Sequence, residues 1–348
     1  MSTHENRSVY VKSPWQFEVH DNPVAEPGPG QLLVRIAACA ACGTDFHVAD
    51  RMAQDWQVFG HEVSGVVEAV GEGVTRFAAG DRVALDSSAP CGQCAICLPR
   101  PYGRGRPELC RTAATYYGSA TMGFGKMLLT PQQCAVAVPQ GMKLDVAALT
   151  EPLGVSKDLV ETAQVGPGDH VLIIGPGPLG LGAAALARHY GAERVILAGR
   201  SRSEARMAAG EALGADLLIC VDETPLAAYD FGRRRPDKIL VTAPPQALAE
   251  AIAIAAFGGV VAYIGIAWGP GAKVTFDADA FHFNKMSLRA SHASPGTHAA
   301  ETIRLLADMP QLGAQLISHR FGLEETGPML TALRDEKRTL KKAVMVNQ

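Results

Sequence analysis

The sequence predicts an α/β fold in which a β-rich domain accompanies a doubly wound parallel sheet. Up to about residue 150, short β-like runs such as residues 31–37 and 63–70 alternate with turns rich in glycine and proline. From about residue 155, apolar runs at residues 170–174 and 194–198 alternate with alanine-rich helical stretches, which is typical of a parallel sheet with crossover helices. After about residue 288 the pattern becomes mixed again and closes on a strand at residues 342–346.

Length and composition indicate an ordinary globular protein. A chain of 348 residues suggests two domains, and 47% apolar with 19% charged residues is a usual balance. The net charge of −3 gives no electrostatic basis for binding nucleic acid or an anionic membrane. Residues 251–272 carry no charge, but glycines and a proline interrupt them, so we expect helix, turn and buried strand rather than a membrane span. The N-terminal residues lack the apolar stretch of a secretory signal, and we expect a cytoplasmic protein.

A dinucleotide site is predicted after the strand at residues 170–174. The turn reads Gly175-Pro-Gly177-Pro178-Leu179-Gly180 and leads into an alanine-rich helix. The first glycine permits a tight turn, the second lets a pyrophosphate approach the backbone, and the third lets helix and strand pack closely. An ordinary glycine-rich turn is the alternative, but the strand before it and the helix and second strand after it favour cofactor binding.

The end of the second strand favours NADP over NAD. An acidic residue at this place would hold the ribose 2′-hydroxyl of NAD. Here the strand ends at Gly199, and Arg200, Ser201 and Arg202 follow it. Gly199 leaves space, and the polar and basic side chains could contact a 2′-phosphate. The alternative is that both arginines belong to a solvated loop.

Four of the eight cysteines predict a structural zinc site. Cys91, Cys94, Cys97 and Cys110 lie on one lobe, enough to close a tetrahedral site with no open position. Four unrelated free cysteines are the alternative, which the repeated spacing of three disfavours. A metal is also favoured over disulfides because the chain shows no export signal, and this agrees with a reducing compartment.

A second set of residues predicts a catalytic zinc. Cys42, His61 and Glu151 would supply a thiolate, an imidazole and a carboxylate, leaving one open position for an alcohol oxygen. Taken alone, His61 could be a hydrogen-bonded core histidine and Cys42 a small buried apolar residue.

These motifs resemble the zinc-dependent medium-chain alcohol dehydrogenase superfamily. The match covers Cys42-Gly-Thr-Asp45, the Gly60-His-Glu segment with its later glycines, the four-cysteine lobe and the dinucleotide glycines, in the same order. Glu151-Pro-Leu resembles the polyol (sorbitol) and threonine dehydrogenase branch. The resemblance implies a GroES-like catalytic domain from residues 1–153 and 288–348, with the cysteine lobe near 91–110, around a Rossmann domain at residues 154–287.

The resemblance also implies roles for residues near the catalytic zinc. Thr44 would take the proton of the alcohol and His47 would pass it towards solvent. Asp45 would orient His61, and Glu62 would be an exchangeable or second carboxylate behind the metal. Thr44 and His47 could instead be ordinary loop residues.

Three departures from the family pattern stand out. The interval between Cys97 and Cys110 is longer than usual by five residues, and the interval between Cys42 and His61 is shorter. Gly125-Lys-Met127 replaces an Ala-Glu-Tyr sequence, and we have no account of that change.

From the residues and the resemblance together, we expect an enzyme with two zinc ions per chain. It would transfer a hydride between a secondary alcohol, of the polyol, sugar or cyclitol type, and NAD(P), and it would form a homodimer or homotetramer. The alternatives are a biosynthetic NADPH-dependent ketone or aldehyde reductase and a non-catalytic NADP(H)-binding relative. A zinc-free quinone reductase would lack Cys42 and the four-cysteine lobe.

Overall fold

The computed structural model describes residues 3–99, 105–336 and 338–347. Mixed α/β architecture confirms the predicted fold class. The strands are β1 (Thr3–His4), β2 (Arg7–Lys12), β3 (Gln16–Asp21), β4 (Val24–Ala25), β5 (Gln31–Ala40), β6 (Gln57–Val58), β7 (Glu62–Val70), β8 (Arg82–Leu85), β9 (Ser88–Ala89), β10 (Ala114–Thr115), β11 (Met127–Pro131), β12 (Ala135–Ala137), β13 (His170–Ile174), β14 (Arg194–Gly199), β15 (Leu217–Cys220), β16 (Lys238–Val241), β17 (Val260–Tyr263), β18 (Ser287–Ala290), β19 (Ile317–Phe321) and β20 (Lys342–Val346).

Helices flank these strands, together with short 3₁₀ turns. The α-helices are α1 (Gly43–His47), α2 (Leu144–Ala147), α3 (Thr150–Thr162), α4 (Pro178–His189), α5 (Glu204–Ala212), α6 (Leu248–Ile254), α7 (Ala278–Phe283), α8 (Ala299–Asp308), α9 (Gln311–Leu316) and α10 (Thr326–Asp335). A π-helical turn, Val48–Met52, continues directly from α1.

The Rossmann sheet has six parallel strands in the order β15-β14-β13-β16-β17-β18. Its strands are apolar on both faces: Val171 and Ile173 of β13 pack into one core with α3 and α4, while Leu172 and Ile174 pack into the core that contains α6. The chain runs outward from β13 to β15 and then returns to β16 on the other side. The strand order therefore reverses beside β13, which is where dinucleotides bind in this kind of sheet.

The other large sheet combines both ends of the chain. Its order is β12-β8-β7-β5-β20-β19, with β11 also paired to β5. The last strand, β20, runs antiparallel to β5 and pairs Val344 with Ala40 and Met345 with Cys39. The C-terminal strand therefore lies beside the end of β5, two residues before Cys42.

Two elements, α3 and β18, cross the domain limits expected at residues 154 and 288. Helix α3 begins before residue 154 and continues past it as one helix. Strand β18 pairs with β17 as the sixth Rossmann strand, so a return to the catalytic domain at residue 288 would cut it. The residues of β18 are only partly buried or exposed, so the sequence gives a weak strand signal there, and we propose that the return follows Ala290.

The long uncharged segment forms no membrane helix. None of the helices within residues 3–99, 105–336 and 338–347 is long and apolar enough to cross a bilayer. Residues 251–272 contribute the end of α6, a turn at Gly258 with φ +75°, and β17, as the glycines in the segment predict.

Candidate active site

Cys42 caps a short helix at the end of β5. Its sulfur accepts a hydrogen bond from the backbone N–H of Thr44 at 3.5 Å. The Asp45 carboxylate accepts from the backbone N–H of Cys42 at 2.8 Å, which completes a reciprocal cap. The hydroxyl oxygen of Thr44 lies 3.7 Å from the Cys42 sulfur. The cap therefore holds a thiol and a hydroxyl side by side at the start of α1.

His61 enters the same region just before β7. Gly60 precedes it with φ +89°, and a side chain there would meet the Phe124 ring at 2.6 Å. The buried Tyr116 hydroxyl donates to the carbonyl of His61 at 2.6 Å and fixes its backbone. Donor atoms of Cys42, His61 and Glu62 all lie within 4.8 Å of one another. The structure thus brings together three residues predicted near the catalytic metal, from two separate segments.

The buried His61 ring lies among acidic groups. Burial alone would lower the pKa of His61, but Glu151, then Asp45 and Glu62, raise it. Its Nδ1 atom lies 3.9 Å from an Asp45 oxygen and makes no hydrogen bond within the described part of the chain. Asp45, which the resemblance implies orients His61, thus faces the ring at ion-pair distance. Its other oxygen accepts from the backbone N–H of Cys42 in the helix cap.

Lys342 of β20 is a residue of the site that the sequence analysis missed. Its Nζ lies 2.6 Å from Oε1 of Glu62, and both side chains are almost completely buried. Burial raises the pKa of Glu62, while the Lys342 charge opposes that rise. A lysine in an otherwise apolar closing strand is the only signal that the sequence offers for this partner.

Glu151 lies in the first turn of α3, next to the three-residue group but outside it. Desolvation raises the pKa of Glu151 well above its usual range, against the charge of His61, and Glu62, Asp86 and Cys42 add to the rise. Desolvation also raises the pKa of Cys42, to about 12. Several acidic groups kept from water around one imidazole are costly unless a cation neutralises them. This donor set of sulfur, nitrogen and carboxylate oxygen fits a zinc ion.

The four-cysteine lobe forms a second donor group. The described sulfur–sulfur distances are 3.5 Å for Cys94 to Cys97, 3.6 Å for Cys91 to Cys110, 3.9 Å for Cys94 to Cys110 and 4.0 Å for Cys91 to Cys97. Zinc–sulfur bonds of about 2.3 Å in a tetrahedron place sulfurs about 3.8 Å apart, so the group fits zinc without rearrangement. Residues 100–104 of the long interval lie outside the described residues.

A hydroxyl group supports the thiolates of this lobe. Thr112 donates a hydrogen bond to the Cys91 sulfur at 3.3 Å. That bond is the main reason that the pKa of Cys91 is lowered to about 6. Desolvation raises the pKa of Cys97 to about 12, so without a metal the lobe favours a thiolate at Cys91 and a thiol at Cys97. Metal binding requires the thiols to lose their protons.

One cavity joins the catalytic group to the dinucleotide turn. It encloses about 320 Å³ between the two sheets. The larger sheet's domain contributes Cys42, Thr44, His47, Glu62 and Lys342, and the Rossmann domain contributes Gly177, Pro178, Leu179, Thr242 and Ile264. A molecule in this cavity would contact both sets of residues at once.

The glycines of the turn serve close packing and access. Gly175 has φ +112°, and a Cβ there would lie 2.7 Å from the Thr242 hydroxyl. A Cβ on Gly180 would lie 1.9 Å from the carbonyl oxygen of Gly175. Around Gly177 there is open space, and α4 begins at the next residue. Thr242, which the sequence analysis did not single out, holds the turn by donating to the Gly175 carbonyl at 2.8 Å.

The end of β14 is packed rather than open. A Cβ on Gly199 would lie 2.6 Å from both the Met207 sulfur and the Pro176 ring. From the sequence, Gly199 is expected to leave space, yet this buried strand end is closely covered. Arg200, Ser201 and Arg202 follow it on the exposed loop, with Ser201 at the start of a 3₁₀ turn.

His47 lies at the end of α1 and lines the cavity. Burial, then the positive charge of Arg51, lowers its pKa, although Asp50 acts in the opposite direction. Its ring lies 6.5 Å from the ring of Trp268, which belongs to the loop after β17. His47 is therefore neutral at pH 7 and stands between the two domains.

Comparisons with known proteins agree with this geometry. The model of the alcohol dehydrogenase GroES-like domain matches residues 28–140, and that of the zinc-binding dehydrogenase matches residues 178–308. An L-threonine 3-dehydrogenase of Deinococcus deserti is 31% identical over 88% of this chain and 89% of its own. The D-altritol 5-dehydrogenase of Agrobacterium fabrum is 30% identical over 92% and 93%.

Solved structures share the fold over nearly the full length. The RspB alcohol dehydrogenase from Escherichia coli CFT073, complexed with NADH, has a TM-score of 0.88, 25% identity and 99% coverage of both chains. A zinc-binding dehydrogenase from Sinorhizobium meliloti 1021, bound to NADP, has a TM-score of 0.85 and 25% identity, and the match covers 99% of this chain and 100% of that one. With both metal-donor groups, the dinucleotide turn and relatives along its whole length, the protein belongs to the zinc-dependent medium-chain alcohol dehydrogenase family, close to its threonine and polyol dehydrogenases.

Proposed function

We propose that the secondary alcohol on which this zinc-dependent oxidoreductase acts is a polyol, sugar or cyclitol. The observation that carries the proposal is the single cavity shared by the thiol and carboxylate donors and the dinucleotide turn. An altritol dehydrogenase among the relatives supports a polyhydroxylated substrate. Other relatives are named L-threonine 3-dehydrogenases, and threonine is an alcohol that carries an amino group. A substrate with an amino group is therefore the second candidate.

Within this proposal, Cys42, His61 and Glu151 hold the catalytic zinc. Glu62 is already neutralised by Lys342 at 2.6 Å, so it is less available as a permanent ligand than Glu151. We assign Glu62 the role of an exchangeable or supporting carboxylate beside the zinc. Cys91, Cys94, Cys97 and Cys110 hold a second, structural zinc, which gives two ions per chain.

The proton path uses residues of α1. Zinc supplies a Lewis acid for the alcohol oxygen and the nicotinamide supplies the hydride acceptor. Thr44, whose hydroxyl stands beside Cys42, accepts the substrate proton and passes its own to His47. A neutral His47 can accept that proton. Because His47 lies on the cavity wall, the proton moves away from the reacting carbon.

For the cofactor, we propose NADP over NAD. The exposed Arg200 and Arg202 flank Ser201 where the adenosine ribose would lie, and Gly199 carries no acidic side chain. Guanidinium groups bind phosphates through two parallel hydrogen bonds. The relatives include structures with NADH and with NADP, so the family alone does not decide the preference.

We also propose that the protein is a cytoplasmic homodimer or homotetramer. The edge strand β18 leaves one side of the Rossmann sheet unpaired among the described strands, and Leu288, Phe276 and Phe283 are exposed near it. Such an edge suits pairing with a second copy of the chain. The cysteines of both donor groups must stay reduced to bind metal, which agrees with the cytoplasm. We propose no nucleic-acid or membrane partner.

The direct test measures activity and metal together. Polyols, secondary alcohols and threonine are each offered with NAD and NADP while absorbance at the nicotinamide band is followed, and zinc is counted in the same preparation. We expect turnover of a polyol and about two zinc ions per chain, as two donor groups require. Turnover only in the ketone-reducing direction would favour a biosynthetic reductase, cofactor binding without turnover would favour a non-catalytic relative, and one zinc or none would contradict the metal assignment.

A further inference from the structure

The acidic group at the end of β14 comes from the neighbouring strand. Ser201 donates both its backbone N–H and its hydroxyl to one oxygen of Asp222, at 3.0 and 2.9 Å. Asp222 follows β15, and the parallel register pairs Gly199 with Cys220. Its carboxylate therefore lies at the carboxyl edge of the sheet, against the loop assigned above to the adenosine ribose.

A side chain at position 199 would be crowded. Any Cβ there would meet Met207 and Pro176 at 2.6 Å, so a carboxylate at the end of β14 would require both neighbours to move. The charge at this edge is consequently set by Arg200, Arg202 and Asp222. The hydrogen bonds from Ser201, followed by the charges of the two arginines, lower the pKa of Asp222, so the group is ionised at neutral pH.

The Asp222 carboxylate occupies hydrogen-bond donors of the loop that could also bind an anionic ligand. It takes two donors, one backbone and one hydroxyl, that a 2′-phosphate on the ribose would also seek. It also brings a negative charge within electrostatic reach of two arginines that would otherwise act on the phosphate alone. The 2′-hydroxyl of NAD carries no charge and can itself donate to a carboxylate, so it meets no such competition.

We propose that Asp222 is the specificity-determining residue for the 2′ position of the cofactor. It holds the Arg200–Arg202 loop through Ser201 and must be displaced from Ser201 when NADP binds. The inference rests on the proposed function, because it takes the dinucleotide to lie along this edge. Beyond that function, we infer that this carboxylate weakens the preference for NADP that the two arginines confer.

Asp222→Asn tests the proposal with little change of shape, since an amide oxygen can still accept from Ser201. Removing the charge should raise the ratio of kcat/KM with NADP to that with NAD by about tenfold, the usual effect of one charge-assisted hydrogen bond. The matched control is Glu223→Gln, which removes an equal charge from the next residue without touching the Ser201 bonds. It should leave the ratio within about twofold, as an exposed, screened charge does.

A binding measurement separates this proposal from the function on which it rests. Calorimetry with adenosine 5′-monophosphate and adenosine 2′,5′-bisphosphate on the zinc-loaded protein isolates the 2′-phosphate from catalysis. We expect Asp222→Asn to tighten only the bisphosphate. An unmodified protein that prefers NAD would contradict the NADP assignment, yet a rise in the ratio for Asp222→Asn would still support the role of Asp222. An unchanged or lower ratio in that variant, or tightening of both ligands alike, would overturn it.

Discussion

The two metal-donor groups of this protein are built on opposite plans. The lobe group takes four identical thiols from one stretch of chain, with sulfurs 3.5–4.0 Å apart and a threonine hydroxyl bonded to one of them. The cleft group takes a thiol and an imidazole from separate segments around β5 and β7, with carboxylates from β7 and α3 close by. It also contains a buried lysine that neutralises one carboxylate.

The difference shows what each arrangement can do. Four thiols would fill every position of a tetrahedral zinc, so we expect the lobe to stabilise a loop and bind no substrate. The cleft group contains more acidic side chains than one zinc ion needs as ligands. It opens onto a cavity shared with the Rossmann domain. Assembly of the cleft group therefore depends on contacts between distant parts of the chain, whereas assembly of the lobe group depends on one short segment.

The largest expected effect follows from removing the cleft thiol. Cys42→Ser should lower kcat/KM on the order of 10³-fold or more, because the metal that polarises the substrate loses a ligand. Zinc content should fall from two ions to about one, with an unchanged circular dichroism spectrum. Cys39→Ala, a nearby buried cysteine outside both donor groups, is the control and should keep both ions. Full activity in Cys42→Ser would end the assignment.

The next effect concerns the buried ion pair. Lys342→Met leaves Glu62 as an uncompensated buried charge, which typically costs about 3–5 kcal/mol of folding free energy. Urea unfolding of the chelator-treated protein, in which no zinc compensates Glu62, measures it. The double variant Glu62→Gln with Lys342→Met removes both charges and should recover most of the loss. If the double variant is no more stable than Lys342→Met, packing of the lysine rather than its charge explains the effect.

A smaller effect on stability is expected at the lobe. Cys94→Ser should cost about 2–4 kcal/mol, comparable with losing another covalent clamp on a loop. Activity per folded molecule should change little, since the lobe does not line the cavity. Thermal unfolding and zinc content measured beside Cys42→Ser complete the comparison. A loss of activity as large as that of Cys42→Ser would show that the two centres are not independent.

The smallest effect is a shift in pH dependence. His47 must be neutral to accept a proton, so oxidation should rise with pH through an inflection below its ordinary value of 6.5. Arg51→Gln removes a charge that lowers the pKa of His47 and should move the inflection upward. Asp50→Asn removes a charge that raises it and should move the inflection downward. Shifts in the same direction for both variants would assign the inflection to another group.

Local features of the site could be predicted from the sequence, whereas long-range ones could not. The thiols of the lobe lie within twenty residues, so spacing alone predicts that they meet. The pairing of Glu62 with Lys342 spans 280 positions and depends on β20 returning beside β5. The packing around Gly199 likewise depends on α5 and the turn after β13, and the approach of Asp222 depends on the neighbouring strand β15. The cap that Asp45 forms with Cys42 is local, whereas its 3.9 Å approach to His61 depends on β7 pairing beside β5.

Helix α3 has a consequence for recombining these domains. Glu151 stands at its start, and Ser156, about 7.5 Å further along the axis, donates to the carbonyl of Leu179 in the dinucleotide turn. Gly182 of α4 packs so closely on Ser156 that a Cβ there would lie 2.6 Å from its hydroxyl. One rigid helix therefore sets the distance between the carboxylate proposed to bind zinc and the turn proposed to bind the cofactor phosphates. A chimaera that exchanges Rossmann domains between relatives should be joined after Thr162, with α4 matched to the retained helix, because a junction inside α3 would change that spacing.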